Sequence, residues 1–416
     1  MIQFSIRAAV RSTLCAAALA SASIGAQAQT VKLALIDPQS GLMAPVGLNQ
    51  LHSWQYIADL ANQKNWAGGP KFEIVGFDNK LSPQESLTVL KQAIDQGIRY
   101  ILQGNGSSVA LALQDAVQKH NERNPGKEII FLNYAAVDPD MTNSKCTYWH
   151  FRLDANSDMK MEALTSYLAK DKSIKSVYLL NQNYSFGQAV ARAAKEYLAR
   201  KRPDIKIVGE DLHPLAQIKD FAPYVSKIKA AGADTVITGN WGSDLALLIK
   251  AAKDAGLNVN FYTYYAATTG VPTAMGAAGE DRVHYVGYWN VNNEKFVGAD
   301  VAMGYDKKYH DDYYTMATYT GIAFLAKAFR ETKSTDPVKV AKALEGMKVM
   351  SLNGEVEMRK ADHQALQPLY IAKWVKVNGK DVKYDQEKTG YGWKTEALLD
   401  TYVATQPTSC NMQRPN

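Results

Sequence analysis

Short apolar strands alternate with amphipathic helices along almost the whole chain, and this pattern restricts the fold more than any other feature. In the first half, apolar runs such as "VKLALID" (31–37) and "KFEIVGFD" (71–78) are followed by helical stretches. One of these stretches carries the expected end signals, because Ser82 is a suitable N-cap residue, Pro83 follows it and Gly97 ends the apolar stripe. Repeated β–α units predict parallel sheets with helices on both faces and right-handed crossovers.

The same alternation starts again in the second half of the chain. Helices that end at Gly232 and Gly256 separate the apolar runs "SVYLLNQ", "IKIVGEDL", "DTVITGN" and "NVNFYTYY". A chain of 416 residues is long enough for two domains. The sequence therefore predicts an α/β protein with two similar lobes, each built on its own sheet.

The first 28 residues have the composition of a targeting segment. Arg7 and Arg11 precede a run rich in alanine and serine, which ends in Ala26-Gln27-Ala28. This order predicts a secretory signal that is cut after Ala28, and so a periplasmic protein. A membrane anchor is the alternative, but the run is too short and too rich in small residues to favour it.

Charge and cysteine content restrict the kind of partner and the cellular compartment that the protein can have. The formal net charge is only +6 and charges of both signs are interspersed, which argues against a nucleic-acid partner. Two cysteines, Cys146 and Cys410, follow the predicted cleavage site. In an oxidising compartment they are expected to pair and tie the C-terminal tail to the body, with two unpaired thiols as the alternative.

The turns that follow the predicted strands are the expected place for a ligand, since α/β sheets bind ligands at the carboxyl ends of their strands. These turns contain no lysine or glutamate, which predicts a neutral pocket with aromatic walls. Aromatic residues at or just past the strand ends are Tyr134, Tyr184, Phe186, Trp241, Tyr264 and Tyr265. Stacking on a ligand is one reading of these rings, and ordinary packing is the other.

The turn "GNGSSV" (104–109) is the first candidate for an anion site. It resembles the dinucleotide fingerprint G-x-G-x-x-G, but Val109 replaces the third glycine, so the fingerprint is incomplete. The unpaired N–H groups at the start of the next helix, with the hydroxyls of Ser107 and Ser108, suit a carboxylate. Simple N-capping by either serine is the alternative.

The sequence gives little sign of catalysis. It contains no Walker motif, H-E-x-x-H, G-x-S-x-G or C-x-x-C, and its histidines lack metal-ligand spacing. The "HDDYY" stretch (310–314) is interpreted as a helix start capped by Asp311 or Asp312 rather than as a metal site. We therefore expect no enzyme activity, no metal and no cofactor.

The order of "DPQSG", "NYAAVDPDMT", "NYSFGQAVA" and "AAKDAGL" resembles the periplasmic branched-chain amino-acid-binding proteins of ABC transporters, from residue 31 to about Trp374. The resemblance implies the type I periplasmic-binding fold, in which three segments join two Rossmann-like lobes and the ligand closes the cleft between them. The implied division is 29–152 plus 283–358 for lobe I, 153–282 plus 359–400 for lobe II, and 401–416 for a C-terminal tail.

The resemblance also implies site residues. The family's carboxylate- and ammonium-binding groups correspond to Ser107, Ala135 and Val137. Val137 replaces a threonine that offers a hydroxyl, and Tyr265 replaces the acidic residue that neutralises the ligand's ammonium group. The remaining implied contacts, added to the candidate Tyr184, are Phe186, Trp241 and Val46, the last in place of an aromatic residue.

These departures predict a changed ligand, because a buried ammonium without a carboxylate partner is costly. We expect a monomeric solute-binding protein that delivers a small carboxylate without an α-amino group, aromatic or otherwise, to a membrane permease. Three alternatives stay open: binding of branched-chain or other amino acids, a ligand sensor for a membrane receptor, and an exported enzyme on a Rossmann-like scaffold.

Overall fold

A computed structural model describes residues 29–415, and it contains two α/β lobes and a small third sheet. The strands are β1 Thr30–Asp37, β2 Lys71–Asp78, β3 Tyr100–Gln103, β4 Ile130–Asn133, β5 His150–Arg152, β6 Ser176–Gln182, β7 Lys206–His213, β8 Thr235–Thr238, β9 Asn260–Thr263, β10 Val283–Gly287, β11 Lys348–Ser351, β12 Gly354–Met358, β13 Ala365–Leu366, β14 Leu369–Lys376 and β15 Tyr391–Leu399. The α-helices are α1 Ala44–Gln63, α2 Pro83–Asp95, α3 Ser107–Arg123, α4 Ser157–Leu168, α5 Ser185–Lys201, α6 Ala222–Ala230, α7 Gly242–Asp254, α8 Val271–Met275, α9 Ala299–Tyr309, α10 Ala317–Thr332, α11 Pro337–Leu344 and α12 Thr401–Ala404.

Lobe I is built on a parallel five-stranded sheet in the order β2-β1-β3-β4-β5. Strands β3 and β4 are buried along their whole length, as expected where helices cover both faces of a parallel sheet. Helix α2 starts as predicted, since the side chain of Ser82 accepts a hydrogen bond from the Glu85 N–H and Pro83 occupies the first turn.

Lobe II is built on a seven-stranded sheet in the order β15-β14-β10-β9-β8-β6-β7. Strands β6 to β10 run parallel, whereas β14 pairs antiparallel with both β10 and β15. The β14–β15 hairpin thus extends a parallel sheet at one edge. The chain therefore has the two-lobed α/β architecture that its sequence predicts.

Two predicted lobe boundaries are wrong. The resemblance implied that residues 283–358 belong to lobe I, but β10 pairs with β9 and β14 and so belongs to the sheet of lobe II. Because β10 is buried, its main-chain N–H and C=O groups need hydrogen-bond partners, which β9 and β14 provide. Helices α9 to α11 and the small β11-β12-β13 sheet do pack on lobe I, so the chain returns to lobe I only after Gly287. Because β13 (365–366) pairs with β12, the chain re-enters lobe II after residue 366 and not at residue 359 as expected.

Three segments cross between the lobes: residues 153–156, 288–298 and 367–368. Two of them lie side by side and are joined by side-chain hydrogen bonds. Gln364 Nε2 donates to the Asp154 carbonyl at 2.7 Å, and Gln367 Nε2 donates to the Leu153 carbonyl at 3.0 Å. The third crossing, after β10, leaves the lobe II sheet at the same edge, because Gly287 at the end of β10 pairs with Tyr370 near the start of β14.

The tail after β15, residues 401–415, forms a further connection that we call the C-terminal strap. Helix α12 packs on α4 of lobe II. Beyond it, Cys410 is bonded to Cys146 of lobe I, with an S–S distance of 2.09 Å, and the Thr408 hydroxyl donates to the Thr142 carbonyl. The side chain of Met412 is buried in the core of lobe I. The strap therefore runs from one lobe to the other.

The predicted capping of helix α10 by Asp311 or Asp312 is also wrong. The helix begins at Ala317, and its N-cap residue Met316 makes no side-chain capping bond. The Asp311 carboxylate accepts a hydrogen bond from the Asn49 side chain, and that of Asp312 accepts one from the Glu387 N–H. Both acids are used in long-range contacts instead of local capping.

The predicted signal segment, residues 1–28, lies outside the described residues. In the part of the chain that the structure describes, no helix combines the length and the apolar character needed to cross a bilayer.

Candidate ligand-binding site

A small cavity of about 30 Å³ lies between the lobes, where the carboxyl ends of both sheets meet. Almost all the predicted contacts line it. These are Val46, Ser107, Ala135, Val137, Tyr184, Phe186, Trp241 and Tyr265. Ser108 does not line the cavity, because it is placed one residue further along helix α3, so its predicted contact with the ligand is not supported.

Three helices begin at this cavity, and none has a side-chain cap. Their N-cap residues are Gly106 before α3, Tyr184 before α5 and Trp241 before α7. The first N–H groups of a helix have no partner inside the helix, and the helix dipole favours a negative charge there. The cavity wall therefore offers a positive potential from main-chain dipoles alone.

Ser107 is not the N-cap of α3 but its first residue, and it is buried. Its hydroxyl accepts a hydrogen bond from the Asp138 N–H at 3.3 Å, which joins the turn after β3 to the turn after β4. Gly106 has a φ of 87°, a left-handed conformation that favours glycine. This glycine lets the chain turn sharply between the strand and the helix.

The small cavity has no aspartate, glutamate, lysine, arginine or histidine in its lining. The hydroxyl of Tyr265 lies 3.4 Å from Asp154 Oδ2 and 3.3 Å from the Ala135 carbonyl. Burial raises the pKa of Tyr265 well above its usual value, so this hydroxyl stays neutral. The site therefore lacks a charged partner for an ammonium group.

A buried ion pair lies just behind Tyr265. Lys160 Nζ is 2.7 Å from Asp154 Oδ2, and both side chains are at most 1% exposed. The ammonium also lies 4.5 Å from the centre of the Tyr265 ring. Burial raises the pKa of Asp154 and lowers the pKa of Lys160, and each is opposed by the charge of the other. The pair neutralises itself, which leaves no free carboxylate for a ligand.

A second network supports the site from inside lobe I. The buried Asp37 carboxylate accepts hydrogen bonds from the Asn105 N–H at 2.8 Å and from the Tyr134 hydroxyl. That hydroxyl and the Asn105 side chain both reach Gln50 Oε1. Burial raises the pKa of Asp37 to about 7, although these hydrogen bonds oppose the increase. Tyr134 thus fixes the turn after β3 from behind and does not line either cavity.

A much larger cavity, about 440 Å³, adjoins the small one. The two share Gln50, Ala135, Tyr265 and Thr268 in their linings. The larger one extends past Lys160 to the crossing segment after β10, the α9–α10 connection and the β14–β15 hairpin. It reaches the surface, since His310 and Lys388 in its rim are exposed.

Several residues of the two cavities and their surroundings were not predicted from the sequence. Lys160 lies in helix α4 and Asp154 in a crossing segment, away from the turns at the strand ends, and Gln50 lies in the second turn of α1. Gln50 follows Val46 by one helical turn, so the 3.6-residue period offered a signal for it. Nothing in the sequence pairs Asp154 with Lys160 beyond their spacing of six residues.

Among residues 29–415, no group of three or more His, Cys, Asp or Glu side chains is arranged to hold a metal ion.

Comparisons with known proteins agree with this geometry. The chain matches the family described as periplasmic binding protein over residues 30–381. It is 32% identical over 413 residues to "Leu/Ile/Val-binding protein homolog 4" of Brucella abortus, covering 96% of this chain and 97% of that protein.

Solved structures resemble it over most of its length. The leucine-, isoleucine-, valine-, threonine- and alanine-binding protein of Brucella ovis, in its closed conformation, is 31% identical with a TM-score of 0.81, covering 93% of this chain and all of that chain. A solute-binding protein of R. palustris, in complex with 4-hydroxybenzoate, shares the fold at 20% identity and a TM-score of 0.75, covering 90% of this chain and 98% of that one.

Members of this family are substrate-binding proteins of transporters and not enzymes, and they act in the periplasm. The match extends over well more than half of the chain, and the two lobes, the three crossings and the cleft have the type I arrangement. The chain therefore belongs to the periplasmic binding protein family and is a solute-binding protein of an ABC transporter, in the branch of the Leu/Ile/Val-binding proteins.

Proposed function

We propose that this protein captures a small carboxylic acid without an α-amino group, aromatic acids being the first class to test, and presents it to an ABC permease. The observation that carries the proposal is the chemistry of the small cavity. Three helix N-termini without side-chain caps meet there, and no ionisable acid lines it. A carboxylate gains from these dipoles, whereas an ammonium group would be buried without a counter-ion.

Aromatic rings around the small cavity, and along the larger one that adjoins it, support a flat or apolar ligand body. Phe186 lies edge-on to both Tyr184 and Tyr265, with ring centres 5.9 and 6.0 Å apart, and the Trp241 indole N–H donates to the Tyr184 hydroxyl at 3.0 Å. Rings held in this way are pre-organised for stacking. The R. palustris protein in complex with 4-hydroxybenzoate shows that this fold accepts an aromatic acid.

A matched pair of ligands tests the proposal most directly. Leucine and 4-methylpentanoate differ only in the α-amino group, as do phenylalanine and 3-phenylpropanoate. Isothermal titration of residues 29–416 with each pair, and with benzoate and 4-hydroxybenzoate, measures the effect of the ammonium alone. We expect the acids without the amino group to bind more tightly. Tighter binding of leucine or phenylalanine would reject the proposal.

Binding of branched-chain amino acids is the second candidate, favoured by the names of the relatives at 31–32% identity. Substitution of Tyr265 by glutamate separates the two candidates, because it returns an acid to the family's ammonium position. We expect Tyr265→Glu to shift preference toward leucine and Tyr265→Gln, its uncharged control, to leave the preference of the natural protein. If the natural protein already prefers leucine and Tyr265→Glu changes nothing, another group holds the ammonium.

A further inference from the structure

The two adjoining cavities differ greatly in size. The small cavity, about 30 Å³, has room for about two water-sized groups, which is enough for a carboxylate but not for a whole organic acid. The large cavity, about 440 Å³, falls in the range of ordinary ligand sites. Because Tyr265 and Thr268 line both, a ligand anchored in the small cavity passes these residues and continues into the large one.

Aromatic rings form much of the wall of the large cavity. They are Tyr264, Tyr265, Tyr285, Tyr288, Trp289, Tyr313, Tyr314, Tyr384 and Trp393. Hydrogen bonding in the wall is incomplete, since the buried hydroxyl of Thr315 has no partner among the described residues. Buried polar groups without partners are unusual in a finished core and are expected where a ligand or water completes them.

The large cavity is also acidic, in contrast to the neutral small one. Its acids are Asp306, Asp311, Asp312, Asp385 and Glu387, against Lys160 and Lys388. The charge of Lys160 is already compensated by Asp154. Burial, with the nearby carboxylates of Glu387 and Asp311, raises the pKa of Asp312 to about 6, so a positive charge in this space would relieve an unfavourable arrangement.

Resting on the carboxylate site of the proposed function, we propose that the large cavity holds the far end of an elongated ligand and that this end carries an organic cation. The ligand class is an acid with an ω-ammonium or quaternary ammonium group several carbons from its carboxylate. Aromatic faces and carboxylates together are the surroundings that such cations favour. The short α-amino acids of the family would leave the large cavity unused.

A homologous series tests the proposal. Linear acids of three to seven carbons are titrated into residues 29–416 in three forms: unsubstituted alkanoates, ω-amino acids and ω-trimethylammonio acids. We expect at least one cationic acid of four or more carbons to bind about tenfold more tightly than the alkanoate of equal length. Equal or tighter binding of the alkanoates would overturn the inference and leave the proposed carboxylate site intact.

Two other outcomes also overturn it. If no member of the series binds, the large cavity does not hold such a ligand. If only α-amino acids such as leucine bind, the proposed function fails together with the inference that rests on it. Failure at the far end is therefore distinguishable from failure at the carboxylate end.

Charge-neutral variants locate the cation. Asp312→Asn keeps an oxygen that can accept the hydrogen bond from the Glu387 N–H. Asp306→Asn changes an exposed side chain, so it can still be used to measure the effect of charge on binding if Asp312→Asn folds poorly. We expect both to weaken binding of the cationic acid several-fold without changing that of the matching alkanoate. Asp254→Asn removes the same charge from an exposed position on α7 and is the control. An equal loss in Asp254→Asn would indicate a long-range charge effect and contradict the proposal.

Discussion

At the scale of single residues, the buried Asp37 shows how the site is held from behind. Its carboxylate joins the end of β1 to the Asn105 main chain after β3 and to Tyr134 after β4. These three strands are neighbours in the sheet of lobe I. One side chain thus fixes the relative positions of the turns that form the lobe I wall of the cleft.

Replacing Asp37 by asparagine should change how stability depends on pH. The pKa of Asp37 is raised from 3.8 to about 7, so between these values the folded state binds more protons than the unfolded state. This group therefore lowers the free energy of unfolding as the pH rises from about 4 to 7, by roughly 3–4 kcal/mol in total. Asp37→Asn should lose that part of the slope in urea titrations at a series of pH values.

The isosteric amide can keep the local contacts, because Asn105 N–H still finds an oxygen and Tyr134 can donate to Gln50 alone. If the substitution also removes hydrogen bonds, the free energy of unfolding should fall by an amount that does not vary with pH. Asp95→Asn, at an exposed position on α2, is the control and should keep the slope of the natural protein. An unchanged slope in Asp37→Asn would show that this carboxyl is ionised throughout.

The Lys160–Asp154 pair gives a second prediction at this scale. Lys160→Met should lower the free energy of unfolding by about 3–5 kcal/mol at pH 7, since it leaves Asp154 buried without a counter-ion. Adding Asp154→Asn should recover a large part of that loss in urea unfolding. The exposed pair Lys250 and Asp254 is the comparison, where the same changes should cost under about 1 kcal/mol. If the losses of unfolding free energy caused by Lys160→Met and by Asp154→Asn simply add in the double variant, the prediction is contradicted.

At the scale of elements, each lobe uses a glycine to pack the helix that follows its first strand against the end of that strand. A Cβ atom on Gly47 in α1 would lie 1.8 Å from the Pro38 carbonyl oxygen, and one on Gly187 in α5 would lie 1.9 Å from that of Gln182. The two lobes thus repeat one device, in which a glycine lets the helix approach the strand end. The same close approach brings Tyr184 and Phe186 to the cleft.

Gly187→Ala should force α5 away from β6, because the obstacle is a main-chain carbonyl that cannot move aside. We expect a loss of about 1–3 kcal/mol in urea unfolding. Ligand affinity should fall with it, since Phe186 and Tyr184 move with the helix. Gln188→Ala, exposed on the same helix, should change stability by less than about 0.5 kcal/mol. Unchanged stability in Gly187→Ala would mean that the helix adjusts without cost.

Most elements of the two sheets were predictable because β–α alternation is a local signal. Strands β2 and β6 have the predicted bounds, and α2 starts at the predicted cap. The turns of the cleft were also predictable, since parallel strands place their carboxyl ends on one edge. The lobe to which β10 belongs could not be predicted, because it depends on which sheet the strand joins and the sequence of the strand suits either sheet. Lys160 and the acidic cavity depend on packing between distant segments.

At the scale of the whole molecule, the C-terminal strap adds a fourth connection to three crossings that otherwise form the hinge. It is held to lobe I by the Cys146–Cys410 disulfide, by Thr408 and by Arg414, whose Nε lies 2.7 Å from Glu345. In lobe II its helix packs on α4, and Tyr197 lies beside Gln406. Opening of the cleft therefore has to accommodate this tether.

Removing the disulfide should destabilise the protein by about 5 kcal/mol at most, because the bond closes a loop of 264 residues in the unfolded chain. We expect Cys146→Ser/Cys410→Ser to unfold at lower urea than the oxidised natural protein, and the natural protein in reductant to match the variant. Reductant should leave the variant itself unchanged. Equal midpoints for the oxidised protein and the variant would show that the bond contributes nothing to stability.

The position of the two cysteines also sets the order of events during export. A chain that crosses the membrane from its N-terminus exposes Cys146 long before Cys410, and no other cysteine follows residue 15. Within residues 29–416 of one chain, these two thiols can therefore pair only with each other. The bond closes only after all of lobe II has emerged, and the covalent loop that it closes contains lobe II together with the part of lobe I formed by α9 to α11 and the small sheet. A break in the backbone anywhere between the two cysteines would then leave both pieces joined.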